Sequence, residues 1–288
     1  MDNNISLFQL IILLILLILI IIFVYYITSY SWKVQDDVSE EENKEKTYYT
    51  IRGKMDGFGA QHQAIMSGIA YCTYANYSYI HSPIIYLEHL ENDDKTLSDM
   101  NQFIGIPMSD SHPPSTTTTK IVEESYSELV HFSEHPDQFY TTDVRNQLKK
   151  YYYSTWKPTI KINDIAIHIR RGDVGNTQNK DRYTDNIIYR QILKQLITQY
   201  PSYSITIHSQ GDIHDFKDLI NNDIPMQFHL NKDIKTTFHS LVTAKVLVMS
   251  KSSFSYAAAL LNDGDIYYMP FWHKPLQHWN LLQIESFL

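Results

Sequence analysis

The residues with most to offer chemically lie in Ile165-Ala166-Ile167-His168-Ile169-Arg170-Arg171-Gly172-Asp173. An apolar, β-branched run breaks into a histidine, two adjacent arginines, a glycine and an aspartate. The run has the composition of a buried parallel strand, so the charged cluster falls at its carboxyl end. Open α/β sheets bind ligands at that end. Two guanidiniums there form a forked donor array suited to a phosphate-bearing ligand. The simpler reading is a surface ion pair with Asp173. The preceding strand and Gly172, which lets the backbone turn tightly and approach a ligand, favour binding.

Two more strand ends carry polar clusters. His208-Ser209-Gln210-Gly211-Asp212 follows Ile205-Thr206-Ile207, and Ser250-Lys251-Ser252-Ser253-Phe254-Ser255 follows Val246 to Met249. The second cluster lies where a helix must begin. A serine there caps the first turn, and the same turn offers unpaired N–H groups and positive dipole charge to a phosphate. Near the start of the folded region, Arg52 to Gln61 reads as a glycine-rich turn containing Gly57-Phe58-Gly59. Gly-x-Gly without a third glycine fits a tight turn as well as a nucleotide loop.

The elements that must position these clusters alternate. Tyr48 to Ile51 reads as a strand, Gln61 to about Asn76 as a helix and Tyr77 to Ser82 as a strand. Glu88 to Ser127 has no clear pattern, and helical spacing resumes from Val130 and again over Thr142 to Tyr153. Beyond the arginine motif come a helix over Asp185 to Tyr200, a strand over Tyr203 to His208 and helices over Phe216 to Asn221 and Ile234 to Ala244. A strand over Val246 to Met249, a helix over Phe254 to Leu261 and a strand over Ile266 to Met269 complete the series. Alternating β and α units imply a parallel sheet with helices on both faces.

Ile5 to Ile27 is apolar and free of charge. About 20 such residues span a bilayer core, and the run is too long for a signal-peptide core of roughly 7–15 residues. The expected layout is a short cytoplasmic tail (1–4), a transmembrane signal-anchor (5–28), a flexible polar stem (29–46) and a catalytic body across the membrane, a single-pass type II protein of the Golgi membrane in a eukaryotic cell. The net charge of −8 speaks against a nucleic-acid binder. Cys72 is the only cysteine, so no intrachain disulfide forms, and its setting is that of a small buried hydrophobe. His131-Phe132-Ser133-Glu134-His135 spells a zinc-peptidase motif, but Pro136 favours an extended His135, and a plain helix end is expected. Asp263-Gly264-Asp265 spells an Asp-x-Asp metal motif within a strong turn signal, and the turn is expected. Asn76-Tyr77-Ser78 is a glycosylation sequon that matters only in a lumenal domain.

His168 to Asp173 resembles the His-x-Arg-Arg-x-Asp motif of the α1,2- and α1,6-fucosyltransferases and their O-fucosyltransferase relatives. Two further segments agree in order. Gly57 to Gln61 resembles the Gly-(Leu/Phe)-Gly-Asn-Gln turn of the α1,2 family, with Ala60 in place of Asn. Leu241 to Leu261, with its Ser-Ser-Phe-Ser-Tyr-Ala-Ala core, resembles the Asn-Ser-Ser-Phe-Ser-Trp-Trp segment of that family, with Tyr256 and Ala257 in place of the tryptophans. The resemblance implies an α/β fold of two Rossmann-type domains in the GT-B arrangement, an acceptor-side domain over 47–160 and a GDP-sugar domain over 161–288. It implies inverting, metal-independent transfer of L-fucose from GDP-fucose to a galactose-terminated glycan or glycoconjugate, with no other cofactor. Donor binding would fall to His168, Arg170, Arg171, Gln210, Ser252, Ser253, Phe254 and Ser255, with Gly57, Gly59 and Gln61. Arg170, Asp173 and Asp212 would serve catalysis, and Asp56, Asp173 and Asp212 are candidates for the base. Transfer from another GDP-sugar, protein O-fucosylation, and non-catalytic glycan binding by a membrane-tethered protein are the alternatives.

Overall fold

The computed structural model describes residues 14–30, 47–51, 55–107, 120–124, 134–160, 164–221 and 224–283. The chain divides into two compact units, Met1–Lys46 and Thr47–Leu288. In the first, residues 14–30 form helix α1 with its apolar side chains exposed. Among the described residues no helix is long and apolar enough to cross a membrane. The start of the expected anchor and the expected stem from 31 to 46 lie outside the described residues.

The second unit opens with β1 (Thr47–Ile51), α2 (Phe58–Ala75) and β2 (Ser78–Tyr79). Then come α3 (Asp94–Ile104), β3 (Lys120–Glu124), a short α4 (Pro136–Phe139) and α5 (Thr142–Tyr153). β1 lies between β2 and β3, parallel to both. Of the glycine-rich stretch, Arg52 to Lys54 lie outside the described residues, and the described part leads straight into a helix. Gly57 is the N-cap of α2, and Phe58 and Gly59 already belong to its first turn. Pro136 opens α4 at its first position, a place its fixed φ suits, and His135 before it is the non-helical N-cap with φ −133°. Val130 to Ser133 lies outside the described residues.

The remaining elements are β4 (Ile165–His168), α6 (Asn186–Gln199), β5 (Ile205–Ser209), β6 (Met226–Leu230), α7 (Ile234–Thr243), β7 (Val246–Val248), α8 (Ser253–Leu261), β8 (Asp265–Tyr268) and β9 (Asn280–Leu281). Single 3₁₀ segments occupy Lys180–Arg182 and Ile213–Leu219. The second takes the place of the α-helix expected over Phe216 to Asn221. All six strands run parallel in the order β6-β5-β4-β7-β8-β9. Counted within this sheet, the order is 3-2-1-4-5-6, the doubly wound arrangement. Its switch point falls between β4 and β7, the two strands whose ends carry the arginine and serine clusters.

β4 is central because it can be buried on both faces: Ile165, Ala166 and Ile167 are wholly inaccessible. One of its faces joins a core with α6, through Ile188, Ile192, Leu193 and Leu196. The opposite face belongs to a second core. That core contains Ala166 and Leu247 of the sheet, Phe238 and Leu241 of α7, Ala257 to Leu261 of α8, and Ile65, Met66 and Ile69 of α2. The two sheets therefore share one continuous apolar interior.

Candidate functional site at the sheet switch point

Two helix starts and one strand end meet at the site. α2 packs on α8. Gly59 makes this possible, since a Cβ there would lie 2.4 Å from the Phe254 Cα. Phe254, in the first turn of α8, has its ring 6.3 Å from that of Phe58 and 5.4 Å from the His168 imidazole. The α8 start is a capped turn: Ser252 Oγ accepts the Phe254 N–H at 3.2 Å. Of its other first-turn N–H groups, those with no intrahelical partner are the usual hosts of an anion.

Arg170 links β4 to this turn. Its Nη1 donates to the Lys251 carbonyl at 3.4 Å, while Nε and Nη2 grip Asp173 at 3.2 and 2.5 Å. Burial pushes the Asp173 carboxyl up. The Arg170 hydrogen bond and charge, with a contribution from His89, outweigh that and hold it below the usual range. His168 Nδ1 lies 2.8 Å from Ser250 Oγ. Burial, and then the Arg170 guanidinium, bring its pKa down to about 3 against the opposing pull of Asp173. The imidazole is neutral near neutral pH, so the positive charge here belongs to Arg170 and to Lys251, whose Nζ donates to the Asp181 carbonyl at 3.2 Å.

Arg171 turns the other way. Its Nη1 donates to the Arg170 carbonyl at 2.8 Å, and its Nη2 to the Thr184 carbonyl at 3.0 Å and to Asn186 Oδ1 at 2.6 Å. Its guanidinium lies 4.4 Å from the Tyr183 ring centroid. The two arginines thus diverge: Arg170 serves the α8 start and Arg171 the start of α6. Gly172, with φ +85°, presses its backbone against Gln210, whose Oε1 would be 2.4 Å from a Cβ there. That position demands glycine twice over, for conformation and for space.

The other residues singled out from the sequence divide between the site and its supports. Ser253 is buried at the α8 start, its Oγ 3.4 Å from His273 Nε2. Ser255 is wholly buried, and its hydroxyl donates to the Ser250 and Ser252 carbonyls, so it closes the turn from within. Gln61 is buried, and its Nε2 donates to the Asp56 and Tyr86 carbonyls at 2.6 Å each, tying the loop after β2 to the α2 start. Asp56 Oδ1 accepts the Gly57 N–H at 2.8 Å. Asp212 is the exposed N-cap of the 3₁₀ segment, in a capping box with Asp215, and the structure shows that role with no bond to Arg170.

Sequence reasoning passed over Lys251 as a charge in its own right, His273, and the Glu88–His89 pair. His273 comes from the segment between β8 and β9, which carries no periodicity to mark it. Among the described residues no group of three or more His, Cys, Asp or Glu side chains is placed to hold a metal ion. Glu134 and His135 of the zinc-like motif are described, while His131 lies outside. Asp263 lies in the α8–β8 connection and pairs with Lys149 at 2.5 Å.

Solved structures with a similar chain path include E. coli heptosyltransferase WaaC with ADP-2-deoxy-2-fluoro heptose, at 10% identity over 82% of this chain and 92% of that one, TM-score 0.45. A point mutant of Arabidopsis thaliana FUT1 in complex with GDP is similar at 11% identity over 81% and 73%, TM-score 0.40. POFUT1 in complex with GDP is similar at 12% identity over 77% and 96%, TM-score 0.43. No protein-family model matches the chain, and no curated protein matches it. At these scores no residue role carries over from any of them.

Proposed function

We propose that the chain is a glycosyltransferase that moves L-fucose from GDP-fucose to a glycan hydroxyl, with inversion at the anomeric carbon. The observation that carries this reading is the bond from Arg170 Nη1 to the Lys251 carbonyl, which joins the end of β4 to the start of α8 at the switch point of a 3-2-1-4-5-6 sheet. A diphosphate seated there meets the Arg170 guanidinium, the Lys251 ammonium and the amino end of α8. As the bond to the sugar breaks, negative charge builds on the leaving diphosphate, and these fixed groups stabilise it without rearranging. Asp173 holds Arg170 in place through two side-chain bonds, and His168 braces Ser250 in the loop between β7 and α8. Fucose as the sugar rests on the His-x-Arg-Arg-x-Asp resemblance, and a galactoside acceptor with α1,2 linkage on the Gly57 and Ser252 segments. The apolar run from Ile5 to Ile27 supports an uncleaved membrane anchor of type II topology, in the Golgi membrane if the host is eukaryotic.

The test is calorimetry of the full-length chain in detergent against GDP, UDP, ADP and GDP-fucose, followed by product analysis with a glycan panel. Preferential GDP binding and fucose transfer are expected. A chain that binds none of these nucleotides is no such transferase, and one that turns over a different sugar nucleotide corrects the donor.

A further inference from the structure

Leu87 to Leu90 forms a tight turn in which the Leu90 N–H donates to the Leu87 carbonyl at 3.4 Å. Its third residue, His89, has φ +69°. Turns with positive φ at that position favour glycine or asparagine. An imidazole here holds a backbone that glycine would adopt more cheaply, the kind of strain that collects at functional sites.

The turn is firmly held. Leu87 is wholly buried, and Asn92 both accepts its N–H at 2.5 Å and donates to its carbonyl at 3.1 Å. The Glu88 N–H donates to the Asp56 carbonyl at 3.2 Å, and Gln61 ties that same carbonyl to Tyr86. The turn is thus anchored to the start of α2, which abuts the start of α8. From there His89 lies close enough to Asp173, the carboxylate that grips Arg170, for the two side chains to interact. Glu88 Oε2 lies 3.8 Å from His89 Nε2, and the two side chains are 51% and 64% exposed, open to an incoming hydroxyl. The three aspartates considered from the sequence are engaged elsewhere: Asp56 with the Gly57 N–H, Asp173 with Arg170, Asp212 with its helix cap.

We infer that His89 is the general base of the transfer reaction, with Glu88 supporting the imidazolium that forms; this rests on the glycosyltransferase reading above. With Glu88 beside Nε2, Nδ1 is the nitrogen presented to the acceptor. The acceptor hydroxyl gives its proton to Nδ1 as its oxygen bonds to the anomeric carbon. The bond from that carbon to the diphosphate oxygen breaks, its electron pair leaves on the diphosphate beside Arg170, and His89 later releases the proton to water.

The test uses the full-length chain in detergent with His89→Asn and His89→Gly, both of which tolerate the left-handed backbone. With GDP-fucose and the acceptor sugar that the wild type fucosylates fastest, kcat should fall on the order of 10²-fold or more in both variants. GDP affinity should be unchanged, and added imidazole should restore part of the turnover of His89→Gly. A kcat near the wild-type value in His89→Asn overturns the base while leaving the transferase intact. A wild-type chain that binds no GDP overturns the transferase reading and the base with it.

Discussion

Gly59 and Phe254 are in backbone-to-backbone contact, with no room for a methyl group between the first turns of α2 and α8. Much of the site's geometry follows from that approach, since it brings the start of α2 beside the start of α8 at the switch point of the second sheet.

Replacing Gly59 by alanine should force the two helix starts apart, because the obstructing atoms are Phe254 N and Cα and cannot rotate away. Overpacking of this kind costs about 1–3 kcal/mol. The expected outcome is a lower unfolding temperature together with weaker GDP binding, read by calorimetry. Full GDP affinity in Gly59→Ala would show that the helix approach has no part in the site.

Arg170 and Arg171 should separate cleanly by mutation. Arg170→Ala removes the guanidinium at the α8 start and should lower kcat by about 10²–10³-fold, as loss of one preorganised donor does elsewhere. Arg170→Lys should fare little better, because a lysine cannot reproduce the fork that spans Asp173 and the Lys251 carbonyl. Arg171→Ala leaves the Thr184 carbonyl and Asn186 without their donor and should act first on stability, by about 1–3 kcal/mol. The comparison of unfolding temperature with GDP affinity across these variants decides the matter.

Acid should destabilise the fold early. His62, His168 and His208 are each held at about 3, below the ordinary 6.5, with burial the leading cause in every case. Between those values the unfolded chain binds the protons that the folded chain refuses, so stability is full above about 6.5 and is lost as pH falls towards 3. Each group contributes up to about 1.4 kcal/mol per pH unit within that window. Unfolding temperatures should drop steadily below about pH 6, and His62→Phe, which removes one of the three, should shallow the slope.

The second sheet is legible in the chain because its strands are short, β-branched and bounded by caps. Ile165 to Ile169 and Val246 to Met249 announce themselves, and Asp185 marks the start of α6 by accepting the Ile187 N–H. α3 escapes notice because it is mostly polar and buries only Met100, Phe103 and Ile104. β6 escapes because Met226-Gln227-Phe228-His229-Leu230 is a partly exposed edge strand, and β9 because it is two residues long. The site is legible in composition and illegible in direction. Nothing in the Arg-Arg pair says which guanidinium faces α8, and nothing in Leu87 to Leu90 foretells a histidine with positive φ.

The apolar interior shared by the two sheets has a bearing on turnover. Phe238 meets Phe58 and Phe103 edge to face across it, and those two rings are tilted against each other, with all three centroid separations between 5.4 and 6.1 Å. Swinging the halves open would wet these rings, at about 1.5–3 kcal/mol for each. Opening is therefore disfavoured, and a linker tethering one half to the other should leave both the unfolding temperature and any nucleotide affinity at their wild-type values.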